Sequence, residues 1–270
     1  GARTDGDAWW PWAVLAGGLV LLSIVLFRRV LEPGAVLFTT DDNIGQLMSR
    51  KNSFPAAFVG FWRDWPLLGS GGTRSFTWST VLLWLLPIHA YVDWIHALDL
   101  SFASLFLGAF LRRHRVPWVA CALGLLTAFW LGTNLTLTYA GHVGKYGVLM
   151  FAAASLFLLD EALRRRSVLW AIAAGGALGV MFLEQPDVAY FTGLFLGAYA
   201  FYRGVRVVGL RIARLCFLLL PILLLALWVA GPRSADVYRM NVQGVSTMQR
   251  DAGKEDRWDF CTQWSVPPWE

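Results

Sequence analysis

The sequence predicts an all-α polytopic membrane protein of about seven transmembrane helices with a long first external loop. Hydrophobic residues make up 57% of the 270-residue chain and charged residues only 15%, where a soluble domain carries roughly a quarter charged. Several segments approach the ~20 apolar residues needed to cross a bilayer. Fifteen tryptophans suit a chain with many membrane–water interfaces, where the amphipathic indole is favoured.

The first apolar run, Trp9 to Phe27, opens on Trp9-Trp10-Pro11-Trp12, an aromatic belt at a membrane entry. It is too long for a signal peptide and lacks a small-residue cleavage site, so it reads as an anchor. Residues 28–76 are polar, with Pro, Gly and scattered charge, and are longer than an ordinary connection. The aromatics Phe54, Phe58, Phe61, Trp62 and Trp65 point to a folded loop lying on the membrane surface. The next apolar run, 76–111, is too long for one span and short for two, and Pro87 divides it. Phe76–Leu86 reads as an interfacial or re-entrant helix and His89–Leu111 as the second span, so the first external loop with its interfacial helix covers 28–88. Further spans are expected at 116–133, 145–160, 167–183, 187–202 and 211–231.

Charge placement orients these spans. Arg112-Arg113-His114-Arg115, Arg164-Arg165-Arg166 and the group Arg203, Arg206, Arg211 and Arg214 mark three junctions. The turns between them, Gly132 to Gly144 and Glu184 to Asp187, are read as external. By the positive-inside rule the Arg clusters are cytoplasmic, the amino terminus is inside, and the 28–76 loop and the tail from Pro232 lie outside. Arg28 and Arg29 break this pattern, because they follow the first span on its external side. The expected organisation is a bundle over 1–231 and the start of an extracytoplasmic carboxyl-terminal region over 232–270. The chain lacks an initiator Met and stops at Pro267-Pro268-Trp269-Glu270, so a fragment of a longer protein is expected. There is no internal repeat and no low-complexity segment. The net charge of +5 is spread between apolar segments, which argues against a nucleic-acid partner. Cys121 and Cys216 lie in apolar runs and Cys261 stands alone, so no disulfide framework or zinc spacing is present.

Four constellations could carry chemistry. In Thr40-Asp41-Asp42-Asn43 the adjacent acids point apart on any regular backbone, so one could act as general base while the other orients it or holds a cation. Asp-Asp-Asn is equally ordinary turn chemistry. His89, Asp93, His96 and Asp99, spaced four, three and three apart, share roughly one helical face. Asp93 and His96 could bind a divalent metal or relay protons, or simply form the wet end of a helix. Gly141-His142-Val143-Gly144-Lys145 resembles a phosphate loop only superficially, since Tyr139 and Tyr146 stand where a Walker motif needs Gly and Ser/Thr. Lys145 could meet a phosphate or snorkel to the interface. Glu184-Gln185-Pro186-Asp187 is a tight turn with two acids, and Pro186 forbids a continuous helix. Asn43, Glu184 and Gln185 join His142 and Lys145 as candidate substrate contacts.

One span, a long outer loop with Asp-Asp near its start, and a many-helix bundle with short outer turns resemble the GT-C superfamily of membrane glycosyltransferases. The chain looks closer still to bacterial YfhO-type membrane proteins. The residues that carry the likeness are Trp65-Pro66-Leu67 before a Gly-rich turn, Leu85-Leu86-Pro87, and Ile95-His96-Ala97-Leu98 running to Leu111-Arg112-Arg113. Gly141-His142 with Lys145 and Trp258-Asp259-Phe260-Cys261-Thr262-Gln263-Trp264-Ser265-Val266-Pro267-Pro268 complete it. The resemblance implies a GT-C-like fold and transfer of a sugar from a polyprenyl-phosphate-linked donor to a cell-envelope glycan or lipid acceptor. The reaction would occur on the outer face of a bacterial plasma (inner) membrane. Asp41 or Asp42 would then be the catalytic base, with His142 and Lys145 near the donor phosphate. A divalent cation, Mg or Mn, is compatible with such a donor. Two rivals stand beside this reading: a transporter or flippase for a lipid-linked substrate, and a non-catalytic protein that binds envelope polymer.

Overall fold

A computed structural model describes residues 9–37, 39–58, 76–209 and 212–238, and the regular structure among them is entirely helical. The chain divides into two compact units, 1–231 and 232–270. The expected Trp65-Pro66-Leu67 and Trp258–Pro268 motifs lie outside the described residues, as do Phe61, Trp62 and Trp65.

The first helix, α1, spans Trp10–Leu26, with Pro11 in its first turn, where a missing N–H costs nothing. A 3₁₀ turn, Arg28–Leu31, leads out of it. Helix α2, Ile44–Asn52, starts where the Asn43 side chain accepts the Gln46 N–H at 3.0 Å. The segment expected to be interfacial or re-entrant forms α3, Trp78–Leu85, opened by a reciprocal Thr77–Thr80 capping box. Pro87 separates it from α4, Ile88–Arg113. Lys51 closes α3 from outside: its ammonium donates to the carbonyls of Leu83, Trp84 and Leu86 at 2.6, 2.8 and 2.7 Å, supplying partners to carbonyls a helix end leaves orphaned.

Helices α5, Trp118–Phe129, and α6, Gly132–Ala140, are one apolar stretch broken at Trp130-Leu131. The expected external turn over Gly132 to Gly144 is therefore mostly helix. The turn itself shrinks to Gly141-His142, because Gly141 alone adopts the left-handed conformation (φ 85°) that ends α6. Next come α7, Val143–Arg165, and α8, Val168–Glu184. A single residue, Gln185, joins α8 to α9, Pro186–Val208, with Pro186 again in the tolerated first turn. Helix α10 runs Ile212–Tyr238.

Among the described residues, four helical stretches are long and apolar enough to cross a membrane: Ile88–Arg113, Trp118–Ala140, Val143–Arg165 and Cys216–Ala235. Trp10–Leu26 and Val168–Glu184 are apolar but shorter. The protein is a membrane protein by this measure. Its apolar side chains face outward as well as inward: Val119, Phe191, Phe195 and Trp228 are among the most exposed, which water would penalise and lipid does not.

Helix α7 is the axis of the bundle and packs against α3, α4, α8 and α9. Helix α8 meets α10 through Gly175 and Gly179. A Cβ on the first would sit 2.6 Å from the Ile222 carbonyl oxygen, and on the second 2.7 Å from Val229 Cβ. Hydrocarbon gives helices no hydrophobic reason to associate, so such close small-residue contacts supply the packing.

One end of the bundle collects eight arginines, Arg112, Arg113, Arg115, Arg164, Arg165, Arg166, Arg203 and Arg206, around two buried acids. Glu161 pairs with Arg113 (2.9 Å), Arg164 (2.6 Å) and Arg165. Asp160 takes Arg203 (2.8 Å), His114 (3.4 Å) and the Tyr199 hydroxyl (2.9 Å). These pairs tie α4, α7 and α9 together. The guanidinium groups of Arg112 and Arg165 lie over the rings of Trp118 and Trp170, at 4.6 and 4.9 Å. The opposite end carries the carboxylates Glu32, Asp41, Asp42, Asp93, Asp99, Glu184 and Asp187.

Candidate functional site

Residues 39–43 reach the carboxylate end as a bent loop laid over the α6–α7 junction. The Thr40 and Asp41 N–H groups donate to the carbonyls of Tyr139 and Ala140 at 3.3 and 3.0 Å, and the Thr40 hydroxyl donates to Ala140 at 3.0 Å. The loop thus satisfies the carbonyls that α6 leaves open at its end. The Thr39 hydroxyl donates to the Asp42 carbonyl at 2.6 Å, and the Leu37 N–H donates to Asp93 Oδ1 at 2.9 Å. Gly141 is required beneath it, because a Cβ there would stand 2.8 Å from the Asp42 nitrogen and 3.0 Å from Thr39 Cβ.

Adjacent on the chain, Asp41 and Asp42 diverge. Asp42 lies 3.3 Å from Arg50 on α2. Asp41 points to the other side, its Oδ2 3.6 Å from His142 Nδ1 and its side chain 63% exposed. That separation is a contact between groups of complementary polarity, longer than a hydrogen bond. Of the two acids, Asp41 is the one left open to a ligand.

His142 is the N-cap of α7 and Lys145 lies in its first turn, three residues on. The Lys145 side chain is half-buried and has neither ion pair nor hydrogen bond among the described residues. The amino terminus of a long helix already carries positive potential, so a cation there concentrates positive charge and suits an anionic group. The same turn touches the end of α8. Cβ atoms on Gly144 and Gly147 would lie 3.1 Å from the Glu184 carbonyl oxygen and 2.8 Å from Glu184 Cγ. Glycine therefore lets Glu184 and Gln185 press against α7, and the structure gathers Asp41, His142, Lys145, Glu184 and Gln185 around one helix terminus.

Several sequence-derived candidates have structural tasks. Asn43, expected to contact substrate, caps α2. Glu184 is buried and accepts the Ser79 N–H at 3.1 Å and the Ser79 hydroxyl at 2.7 Å, fixing the start of α3. Gln185 reaches Asp187 at 3.5 Å. Asp93, expected as a metal ligand with His96, holds the loop backbone at Leu37. His96 is 1% exposed and edge-on to Tyr146, with ring centroids 4.8 Å apart. Among the described residues no group of three or more His, Cys, Asp or Glu is placed to hold a metal ion. Asp99 is tied to α3, accepting the Trp78 indole N–H at 3.1 Å, and His89 is exposed.

The residues that sequence reasoning passed over are Arg50, Ser79 and the pair Asp160-Glu161. The last had a visible signal: Arg164 and Arg165 follow Glu161 at three and four residues, the spacing of helical ion pairs. Arg50 had a weaker one, lying two turns along a helix that starts just after Asp42. Ser79 had none, since its partner is 105 residues away. Neither a family model, nor a curated protein, nor a solved structure matches the chain.

Proposed function

We propose that the protein is a membrane-embedded glycosyltransferase of GT-C type with seven membrane-crossing segments. Its carboxylate end faces the outside of a bacterial plasma membrane, and it moves a sugar from a polyprenyl-phosphate-linked donor to a cell-envelope acceptor. One observation carries this reading: the docked loop presents Asp41 as an exposed carboxylate beside His142, on the helix terminus where Lys145 has no partner among the described residues. In this reaction Asp41 takes the proton of the acceptor hydroxyl. The freed oxygen attacks the anomeric carbon, and the bond to the phosphate oxygen breaks with inversion. The bonding pair passes to the departing polyprenyl phosphate. Lys145 and the amino terminus of α7 stabilise the negative charge that develops there. His142 keeps the Asp41 carboxylate turned toward the acceptor, while the Asp42–Arg50 pair anchors the loop to α2. The arginine end, with its surplus of cations, is then cytoplasmic.

The reading is tested by incubating purified full-length protein with labelled polyprenyl-phosphate sugars and glycan or lipid acceptors. Label appearing in the acceptor supports it. A second reading, transport of a lipid-linked substrate, draws on His96 and Asp99. Both His96 ring nitrogens and Asp99 Oδ2 are buried without a partner among the described residues, and polar groups at such depth mark substrate paths in transporters. Label that crosses a vesicle membrane still attached to its lipid would favour that reading over transfer.

A further inference from the structure

We infer that the groove between α1 and α4 holds a hydrocarbon chain of a membrane lipid, and that Arg28 and Arg29 bind its anionic phosphate headgroup. The two helices touch at the arginine end, where a Cβ on Gly108 would make ordinary contacts, 3.6 Å from Leu15 and 3.7 Å from Trp12. Above that contact they separate around a cavity of about 300 Å³. Leu19, Val20 and Ile24 line one wall, and Trp94, Leu98 and Phe102 the other. The volume matches the small end of ligand cavities. The Ser23 hydroxyl, on the same wall, is spent on the Leu19 carbonyl at 2.8 Å, so it adds little polarity.

The charge at the mouth selects the occupant. Arg28 follows Ile24 by four residues, in the 3₁₀ turn just past the end of α1. Arg28 and Arg29 are exposed, and neither forms an ion pair among the described residues, not even with Glu32 three and four positions on. These two arginines lie at the carboxylate end, against the charge pattern of the other junctions. Two guanidinium groups without an ion pair among the described residues, just past the α1 residues that line an apolar slot, complement a phosphate carried on a chain. The inference needs no chemistry at Asp41 and holds whether or not sugar transfer does.

The test uses the full chain in neutral detergent, with bound lipid read by mass spectrometry of the intact protein. Dioleoyl phosphatidylglycerol is compared with dioleoyl phosphatidylcholine. Selective retention of phosphatidylglycerol is expected. A basic side chain near a headgroup contributes roughly fivefold, so the double variant Arg28→Gln/Arg29→Gln should bind about thirtyfold more weakly. Arg28→Lys/Arg29→Lys should retain most of the binding. Val20→Trp, at a 58% exposed position on the groove wall, should expel the chain without disturbing a packed core. Equal retention of both lipids, or unchanged binding in the Gln variant, overturns the proposal. So does stabilisation by inorganic phosphate equal to that of the lipid. A Val20→Cys variant that cross-links in pairs would place a second copy in the groove and overturn it too.

Discussion

Replacing Gly141 with alanine probes how the acidic loop is held. Gly141 sits at φ 85°, where a side chain costs about 1–2 kcal/mol. The added Cβ would also meet the Asp42 nitrogen at 2.8 Å and Thr39 Cβ at 3.0 Å, and neither backbone can yield without breaking the loop's contacts. Those contacts are the Thr40 and Asp41 N–H bonds and the Thr40 hydroxyl bond to the α6 end. At a net ~1 kcal/mol apiece they supply about 3 kcal/mol of docking. A penalty of about 2 kcal/mol consumes most of that and raises the undocked population about thirtyfold, since ~1.4 kcal/mol is a factor of ten. Amide hydrogen exchange, resolved to residues 39–42, reads this directly. Exchange at Thr40 and Asp41 should accelerate by that factor while the core of α7 stays protected. Gly132→Ala is the control, because nothing lies within 4 Å of its Cβ, and it should leave the loop unchanged. Equal exchange in Gly141→Ala and the parent would refute the docked geometry.

Other substitutions test other joints. Gly175→Ala drives a methyl into the Ile222 carbonyl and should lower the melting temperature of the detergent-solubilised protein by separating α8 from α10, at about 2 kcal/mol or more. Lys51→Met removes three charge-assisted bonds from the end of α3. It should cost about 2 kcal/mol and open the 76–86 segment to limited proteolysis, while the melting of the bundle stays nearly unchanged. Glu161→Gln strips a buried acid from three arginines. Breaking a buried pair costs about 3–5 kcal/mol, but these arginines are 41–48% exposed and can turn to water, so about 2 kcal/mol is expected in chemical denaturation. Asp42→Asn loosens only a partly exposed pair with Arg50 and should change stability by less than about 1 kcal/mol in the same assay.

The features legible in the sequence were those whose causes are local. Pro87 announced the break between α3 and α4, and Pro186 the one-residue turn after α8, because proline acts on its own backbone. The apolar runs marked most helices for the same reason. The break at Trp130-Leu131 has no proline or glycine at its centre, so the span expected at 116–133 runs through it and the turn expected from Gly132 covers α6. At the candidate site the gathering of Asp41, His142 and Lys145 at one end of the bundle follows from span order and Arg placement. The split between the two acids did not. It depends on Arg50 arriving along α2 and on His142 being turned by Gly141, which are matters of three-dimensional placement. Asn43 and Glu184 also carry structural tasks that their place in the sequence does not announce. Helix ends have their own unpaired N–H groups to satisfy, and these two residues satisfy them.

The most direct measurement is the sugar-transfer rate of Asp41→Asn beside Asp42→Asn, in full-length protein with a polyprenyl-phosphate donor. Loss of a general base lowers the rate by about 10²–10⁴-fold, and that loss is expected for Asp41→Asn with donor KM nearly unchanged. Asp42→Asn should stay within a few-fold of the parent. Transfer by Asp41→Asn at the parental rate would contradict the account.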